Sequence, residues 1–302
     1  MSDSLVNSTN RVIGESGLKV GPMAFGCWRF TNTNLDVAQS LLEAAIDRGM
    51  TLIDTADVYG LDFGGTGFGG NEEILGTVLS AAPHLRDRIV LATKGGIRPP
   101  VPYDSSDTYL RNACEASLRR LQVNTIDLYQ IHRPDLFTHP EQVAETLTEL
   151  RDAGKIREVG VSNHTPGQYA SLAAYLPFPL ATSQPEYSLA HLDPVRDGTF
   201  DVCMRDSVVP LTWGPLAGGK LISGVSIRPE LMELIDHIAR REDVDRAAVC
   251  YAFVLAHPSA PIPILGTQTV ARLDDALASF TVSLDRSDVY ALIQASEGVP
   301  LP

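Results

Sequence analysis

Short apolar runs alternate with helix-forming segments along nearly the whole 302-residue chain, and this alternation restricts the fold more than any other feature. The runs occupy residues 23–25, 51–54, 89–92, 126–131, 156–161, 180–183, 208–213 and 262–265. Repeated strand–helix order predicts a parallel sheet, because parallel neighbours need a crossover connection. About eight such units predict an α/β fold with one closed (β/α)8 barrel domain and extra helices near the C-terminus.

Several helices carry recognisable start and stop signals. Residues 34–48 place apolar side chains at helical spacing, and Gly49 is typical of a helix end. Pro140 predicts the first residue of another helix. Asn71, followed by two glutamates, predicts the N-cap of a third.

Composition and charge argue against a nucleic-acid partner, a membrane protein and a disulfide-linked protein. The apolar fraction is 44% and the net charge is −13, whereas phosphate binding requires a basic face. No apolar run approaches the roughly 18 residues that span a bilayer, and no secretory signal is visible. The four cysteines are widely spaced, which predicts reduced thiols and a cytoplasmic location. Residues 1–10 are expected to be flexible.

Four chemically active side chains stand at the ends of three of these runs: Asp54, Tyr59, Lys94 and His132. The chain has only four lysines, so a lysine at the end of an apolar run is notable. Each residue alone has a plainer interpretation as a capping acid, a packing residue, a surface charge or a structural histidine. Barrel active sites lie at the C-terminal ends of strands, so together the four predict an acid–base site.

One glycine-rich segment imitates a dinucleotide fingerprint. Residues 65–70 fit the GxGxxG pattern, but they do not directly follow a strand and lack the acidic residue that should come later. We therefore interpret them as a flexible loop, with Phe63 and Phe68 lining the site beside Tyr59. The histidines have no metal-ligand spacing, so no metal site is predicted.

The chain resembles the aldo-keto reductase family from Gly17 to the last helix. The similarity is carried by residues 17–20, 24–28, 53–60, 92–94, 117–121, 126–132, 154–157, 160–163 and 213–219. Within the family it is similar to a bacterial branch with an Ile-His-Arg-Pro-Asp motif, here residues 131–135.

This resemblance implies NAD(P)H-dependent carbonyl reduction in a barrel that lacks a Rossmann domain. Tyr59 would protonate the carbonyl oxygen, and Lys94 would lower the phenol pKa from its usual value of about 10. Asp54 would hold the ammonium, and His132 would orient the carbonyl. The implied substrate contacts are Trp28, Tyr59, His132 and Arg133.

The resemblance also implies a set of cofactor contacts. Ser162, Asn163 and Gln184 would bind the nicotinamide carboxamide, and Trp213 would stack on its ring. The further contacts are Gly26, Asp54, Gly214, Leu216, Gly218, Lys220, Gly266, Thr267, Gln268 and Arg272. A phosphate clamp formed by Thr267 and Arg272 favours NADP(H). Gly266 stands where some family members carry a lysine, so NAD(H) stays open.

Substrate identity and assembly are not fixed by these patterns. The substrate is an aldehyde or ketone, with a sugar-derived carbonyl as one option, and the chain is a monomer or a small homo-oligomer. Arg133 either binds an anionic or polyhydroxy substrate or pairs with Asp135. The alternatives are a cofactor-sensing regulatory subunit on the same fold and a barrel lyase or isomerase. The complete set of four residues favours the reductase.

Overall fold

A computed structural model describes residues 4–301 of the protein. Residues 1–3, the start of the segment expected to be flexible, lie outside the described residues. The strands are β1 (Arg11–Ile13), β2 (Leu18–Val20), β3 (Ala24–Gly26), β4 (Leu52–Asp54), β5 (Val90–Gly95), β6 (Ile126–Ile131), β7 (Ile156–Ser162), β8 (Thr182–Gln184), β9 (Val209–Thr212) and β10 (Ile262–Leu265).

Strands β3 to β10 form a closed barrel, in which every neighbouring pair is parallel and β10 pairs with β3. The predicted (β/α)8 barrel is therefore confirmed. The predicted bounds of β6 and β10 match the observed ones. Strand β5 continues to Gly95, so Lys94 lies within the strand rather than after it.

Helices surround the barrel and supply the crossovers between strands. They are α1 (Leu35–Asp47), α2 (Gly70–Ala81), α3 (Asp107–Leu121), α4 (Pro140–Asp152), α5 (Pro166–Ala173), α6 (Thr199–Asp206), α7 (Lys220–Ser223), α8 (Pro229–Glu242), α9 (Arg246–Leu255), α10 (Val270–Leu277) and α11 (Arg286–Glu297). Three of them, α7 to α9, lie between β9 and β10, and two follow β10, which confirms the extra helices near the C-terminus. Among the described residues, no helix combines the length and apolarity that crossing a membrane requires.

Two of the three helix starts that the sequence predicted are confirmed, and the third is wrong. The side chain of Asn34 caps α1, and Pro140 is the first residue of α4. Asn71 is not an N-cap, because α2 begins one residue earlier, after Gly69 in the left-handed conformation with φ 82°. The amide of Asn71 is used instead to hold a neighbouring loop.

A hairpin that sequence patterns did not reveal closes the N-terminal end of the barrel. Strands β1 and β2 pair antiparallel. Their apolar residues Ile13, Leu18 and Val20 pack in one cluster with Leu52 and Val90 of the barrel strands. Because this end is filled, the barrel opens at the C-terminal ends of its strands.

The N-terminal segment contacts the C-terminal part of the chain. The amide of Leu5 donates to the carbonyl of Leu284 over 2.8 Å, and the amide of Asn7 donates to the carbonyl of Leu255 over 3.1 Å. The expected flexibility of residues 1–10 and the single-domain organisation remain predictions.

Candidate active site

The barrel brings the four predicted residues together at its open end. Asp54 is the last residue of β4, Lys94 is the penultimate residue of β5, and His132 directly follows β6. Tyr59 lies in the loop between β4 and α2. Because these strands are adjacent and parallel, their ends deliver the side chains to one place.

Lys94 is the centre of this group. Its Nζ donates to Asp54 Oδ2 over 2.6 Å, to the carbonyl oxygen of Thr55 over 2.8 Å and to Tyr59 Oη over 3.3 Å. The side chain is fully buried, and removing an ammonium from water costs several kcal/mol. Burial alone lowers the pKa of Lys94, but Asp54 and Tyr59 outweigh it and raise the pKa above 10.5. Lys94 therefore remains charged at neutral pH.

Two glutamines fix the other oxygen of Asp54. Gln184 Nε2 donates to Asp54 Oδ1 over 3.0 Å, and Gln130 Nε2 reaches the same oxygen over 3.3 Å. Thr182 in turn donates to Gln130 Oε1 over 3.2 Å. Sequence reasoning missed Gln130, although an amide inside an otherwise apolar run was a usable signal. Gln184 lies next to the site, but its amide nitrogen is directed at Asp54.

Tyr59 lies between two other rings of the site. Its ring centroid is 6.4 Å from that of Trp28 and 5.7 Å from that of His132. Burial is the largest influence on its pKa and raises it above 10.0, while Lys94 lowers it by a smaller amount. Lys94 thus lowers the phenol pKa as expected, but burial raises it by more, so the net pKa lies above 10.0. Tyr59 is a neutral phenol at neutral pH.

His132 is a buried, neutral imidazole. Burial lowers its pKa well below 6.5, and the positive charges of Lys94 and Arg133 lower it further. Its Nδ1 is buried and has no hydrogen-bond partner within the described part of the chain. A neutral imidazole has one N–H donor and one acceptor nitrogen, so His132 can donate a hydrogen bond without adding charge.

Aromatic side chains line the entrance next to Tyr59. The rings of Trp28 and Phe63 meet edge to face, with centroids 5.1 Å apart. Asn71 Nδ2 donates to the carbonyl oxygens of Cys27 and Trp28 over 2.6 and 3.1 Å and so fixes the loop that carries Trp28. Phe68 was also expected to line this entrance. Its recorded ring contact is with Arg120, whose Cζ lies 5.8 Å from the Phe68 ring centroid.

Trp213 and Asn163 form a linked pair next to His132. Trp213 Nε1 donates to Asn163 Oδ1 over 2.9 Å. Asn163 Nδ2 donates to Ser162 Oγ over 2.7 Å and to the carbonyl of His132 over 3.3 Å. Asn163 has a positive φ of 57°, a conformation that Asn tolerates better than most residues. These bonds fix the orientation of the Trp213 indole.

The loops after β9 and β10 carry glycines that border open space. An added Cβ at Gly218, Gly219 or Gly266 would meet nothing within 4 Å, so the backbone there is accessible to a ligand. Gly214 and Leu216 belong to the first loop, Lys220 begins α7 directly after it, and Thr267 and Gln268 belong to the second loop. Both loops lie at the open end of the barrel, as a bound cofactor requires.

Two further predicted cofactor residues have distinct surroundings. Arg272 is exposed in the first turn of α10 and forms no ion pair with any residue from 4 to 301. Gly26 ends β3 beside Asp54. A Cβ at Gly26 would lie 2.6 Å from Ile264, so close packing between β3 and β10 is itself a reason for glycine there.

Arg133 does not pair with Asp135. Its Cζ lies 5.8 Å from the centroid of the Trp213 ring. Asp135 instead accepts hydrogen bonds from the amides of Ser105 and Phe137 and from the hydroxyl of Thr138. The guanidinium therefore stays available at the entrance of the site.

Comparison with known proteins identifies the family. The sequence profile described as "Aldo/keto reductase family" matches residues 22–297. The chain belongs to the aldo-keto reductase family. The resemblance to the family is thus confirmed, and this aldo-keto reductase is an NAD(P)H-dependent oxidoreductase that acts on small carbonyl compounds. The branch with the motif at residues 131–135 remains a prediction.

Similar proteins agree with that assignment over their full length. The chain is 44% identical to a 6-dehydroglucose reductase of Novosphingobium aromaticivorans, covering 100% of both chains. It is 33% identical to a 6-dehydroglucose reductase of Agrobacterium fabrum, covering 95% of this chain and 98% of that one. The solved structure of a glycerol dehydrogenase from Gluconobacter oxydans has a TM-score of 0.82 at 28% identity, covering 98% and 97% of the two chains.

Proposed function

We propose that this aldo-keto reductase reduces a sugar-derived aldehyde to the alcohol with NADPH, with Tyr59 as the proton donor. The observation that carries the proposal is the position of Lys94 Nζ, 2.6 Å from Asp54 Oδ2 and 3.3 Å from Tyr59 Oη, at the open end of the barrel. A charged ammonium beside a neutral phenol is suited to proton donation, because it stabilises the phenolate that donation leaves behind.

Proton donation follows from the charge that develops on the substrate. NADPH, when bound, would supply the hydride, and the carbonyl oxygen of the substrate would then carry negative charge. Tyr59 gives its hydroxyl proton to this oxygen. Its raised pKa keeps the phenol protonated beforehand, and Lys94 stabilises the phenolate as it forms. Asp54 holds Lys94 in place, and the neutral imidazole of His132 orients the carbonyl by donating a hydrogen bond.

Ser162, Asn163 and Gln184 would bind the nicotinamide carboxamide, and Trp213 would stack on the nicotinamide ring. In the structure Gln184 Nε2 donates to Asp54 and Asn163 bonds to Trp213 and Ser162, so these amides would exchange partners when the cofactor binds. Gly26 and the loop at residues 214–220 would follow the pyrophosphate. Gly266, Thr267, Gln268 and Arg272 would surround the adenosine end.

NADPH is favoured over NADH by the charge at that end. Arg272 is exposed and free of an acidic partner among the described residues. It lies in the first turn of α10, where the helix dipole also favours an anion. Such a site suits the 2′-phosphate that distinguishes NADP from NAD.

The sugar-derived substrate is supported by the two relatives named as 6-dehydroglucose reductases. A cytoplasmic location is part of the proposal, supported by four cysteines that are all free and buried. The test is a panel with 6-dehydroglucose, an aliphatic aldehyde and a ketone, each with NADPH and NADH. We expect the highest kcat/KM for 6-dehydroglucose with NADPH. Failure to oxidise either cofactor with any carbonyl would contradict the proposal.

A further inference from the structure

A row of residues crosses the inside of the barrel from β5 to β8. Its members are paired in register on consecutive strands: Lys94, Gln130, Gly160 and Thr182. Thr182 Oγ1 donates to Gln130 Oε1 over 3.2 Å, and Gln130 Nε2 donates to Asp54 Oδ1 over 3.3 Å. Because Asp54 also binds the Lys94 ammonium, one continuous chain of hydrogen bonds runs from Thr182 on β8 to Lys94 on β5.

Gly160 leaves the space in which this chain passes from β8 to β6. Strand β7 lies between them, and an added Cβ at Gly160 would clash with the hydroxyl of Thr182 and lie 3.1 Å from Gln130 Cγ. Gln130 and Thr182 are fully buried, and burying a polar group is costly unless it is hydrogen-bonded. Because an ionised carboxylate can only accept hydrogen bonds, the amide nitrogen of Gln130 faces Asp54, which leaves its oxygen for the Thr182 hydroxyl.

Asp54 Oδ1 has two amide donors, and only one of them has a second role in the proposed function. Gln184 Nε2 lies 3.0 Å from this oxygen, and the proposed function also assigns Gln184 to the nicotinamide carboxamide. Gln130 is held at both ends of its amide, by Thr182 and by Asp54. When Gln184 turns to a bound cofactor, Gln130 is the remaining side-chain donor to Asp54 Oδ1 among the described residues.

We infer that Gln130 is a positioning residue that keeps Asp54 in place when the cofactor takes Gln184. The inference rests on the proposed function, in which Gln184 binds the carboxamide, and adds a fifth residue to the four that the sequence predicted. Gln130 acts through Asp54 rather than on the substrate. It holds the carboxylate that holds the Lys94 ammonium, which lies 3.3 Å from the Tyr59 hydroxyl.

The first measurement is denaturant unfolding without cofactor of wild type, Gln130→Met, Gln184→Met and the double variant. Each single variant leaves Asp54 Oδ1 one amide donor. The double variant leaves a buried, charged oxygen with no side-chain donor, which costs more than the loss of either bond alone. Its loss of stability should therefore exceed the sum of the two single losses, whereas the exposed control Gln142→Met should match wild type. Additive losses would contradict the shared hold on Asp54.

NADPH binding distinguishes a residue that takes over from Gln184 from one that only supports the fold. In Gln130→Met, NADPH must draw Gln184 away from the last donor to Asp54, so the Kd should rise by at least about fivefold and kcat should fall. In the Gln184→Met background no exchange takes place, so Gln130→Met should leave the Kd nearly unchanged. Thr182→Val should act like Gln130→Met but more weakly, and Thr212→Val, which alters a buried threonine of β9, should match wild type.

The possible failures can be told apart. An equal rise in the NADPH Kd from Gln130→Met in both backgrounds would mean that Gln130 supports the barrel as a whole. An unchanged Kd in both would mean that Asp54 needs no replacement donor, and either result would overturn the inference. If Gln130→Met does not fold, the comparison of Thr182→Val in the two backgrounds decides in the same way. Failure of wild type to oxidise NADPH with any carbonyl would contradict the proposed function itself, and the inference with it.

Discussion

The ammonium of Lys94 lies 3.3 Å from the hydroxyl oxygen of Tyr59. This contact does not make the phenol acidic in the resting protein, because burial raises the pKa of Tyr59 by more than Lys94 lowers it. Instead, the Lys94 ammonium stabilises the negative charge that appears on the Tyr59 oxygen as the proton leaves. The same pair thus keeps the proton available at neutral pH and stabilises its departure.

Replacing Lys94 should lower turnover and move the alkaline limb of the pH profile. Reduction needs the protonated phenol, so the rate falls as pH rises through the Tyr59 pKa, which already lies above 10.0. Lys94→Met removes the cation that lowers this pKa, so the limb should shift to still higher pH while kcat decreases. The measurement is kcat against pH, with Lys155→Met as a surface control. A profile identical to wild type with substantial activity would show that Lys94 does not act on the phenol.

Asp57 should make stability depend on pH in a defined direction. It is fully buried and has no ion-pair partner within residues 4–301. Burial and then Glu72 raise its pKa well above 3.8, against smaller opposing effects from Arg120, the Val58 backbone and Lys94. Above pH 3.8 the unfolded chain releases the Asp57 proton, whereas the folded protein keeps it. The free energy of unfolding therefore decreases as pH rises from 3.8 towards the pKa of Asp57 in the folded protein.

Asp57→Asn should remove that loss, since its side chain has no proton to release. The stability of the variant relative to wild type should therefore increase as pH rises above 3.8, whatever its offset at low pH. Denaturant unfolding at several pH values measures this, with the exposed Asp62→Asn as control. A difference from wild type that does not vary with pH would contradict a neutral, buried Asp57.

Arg272 provides the test of cofactor preference. A guanidinium can make charge-assisted bonds to a phosphate of about 1.5–3 kcal/mol each, and NADH has no 2′-phosphate to receive them. Arg272→Ala should weaken NADPH binding by at least about tenfold, roughly 1.4 kcal/mol, and leave NADH binding nearly unchanged. Fluorescence titration with both cofactors measures the two Kd values, and Arg119→Ala is the matched control. Equal effects on both cofactors would mean that a different residue recognises the phosphate.

Local patterns predicted the barrel because each helix and strand carries its own periodicity. The bounds of β6 and β10 and the start of α4 at Pro140 follow from apolar runs and proline geometry. The β1–β2 hairpin has strands of only three residues each, too short for a periodic signal. Its place under the barrel depends on contacts with distant strands.

The candidate site shows the same division between local and distant information. Strand ends predicted that Asp54, Lys94 and His132 meet, because parallel strands deliver their ends to one side. The contacts of Gln130 with Asp54 and of Arg133 with Trp213 join residues 76 and 80 positions apart. Such contacts exist only after the barrel closes, and no pattern near either residue encodes them. The pKa of Tyr59 likewise depends on the assembled site, because burial raises it and Lys94 lowers it.

The most direct measurement of the central claim is steady-state reduction of 6-dehydroglucose by Tyr59→Phe. This change removes the hydroxyl and leaves Lys94 bonded to Asp54 and to the Thr55 carbonyl. The exposed Tyr290→Phe serves as control. Because the phenol acts on the transition state, kcat should fall nearly to background while the Kd for NADPH stays close to wild type. Turnover of Tyr59→Phe within a few-fold of wild type would contradict the assignment of Tyr59 as the proton donor.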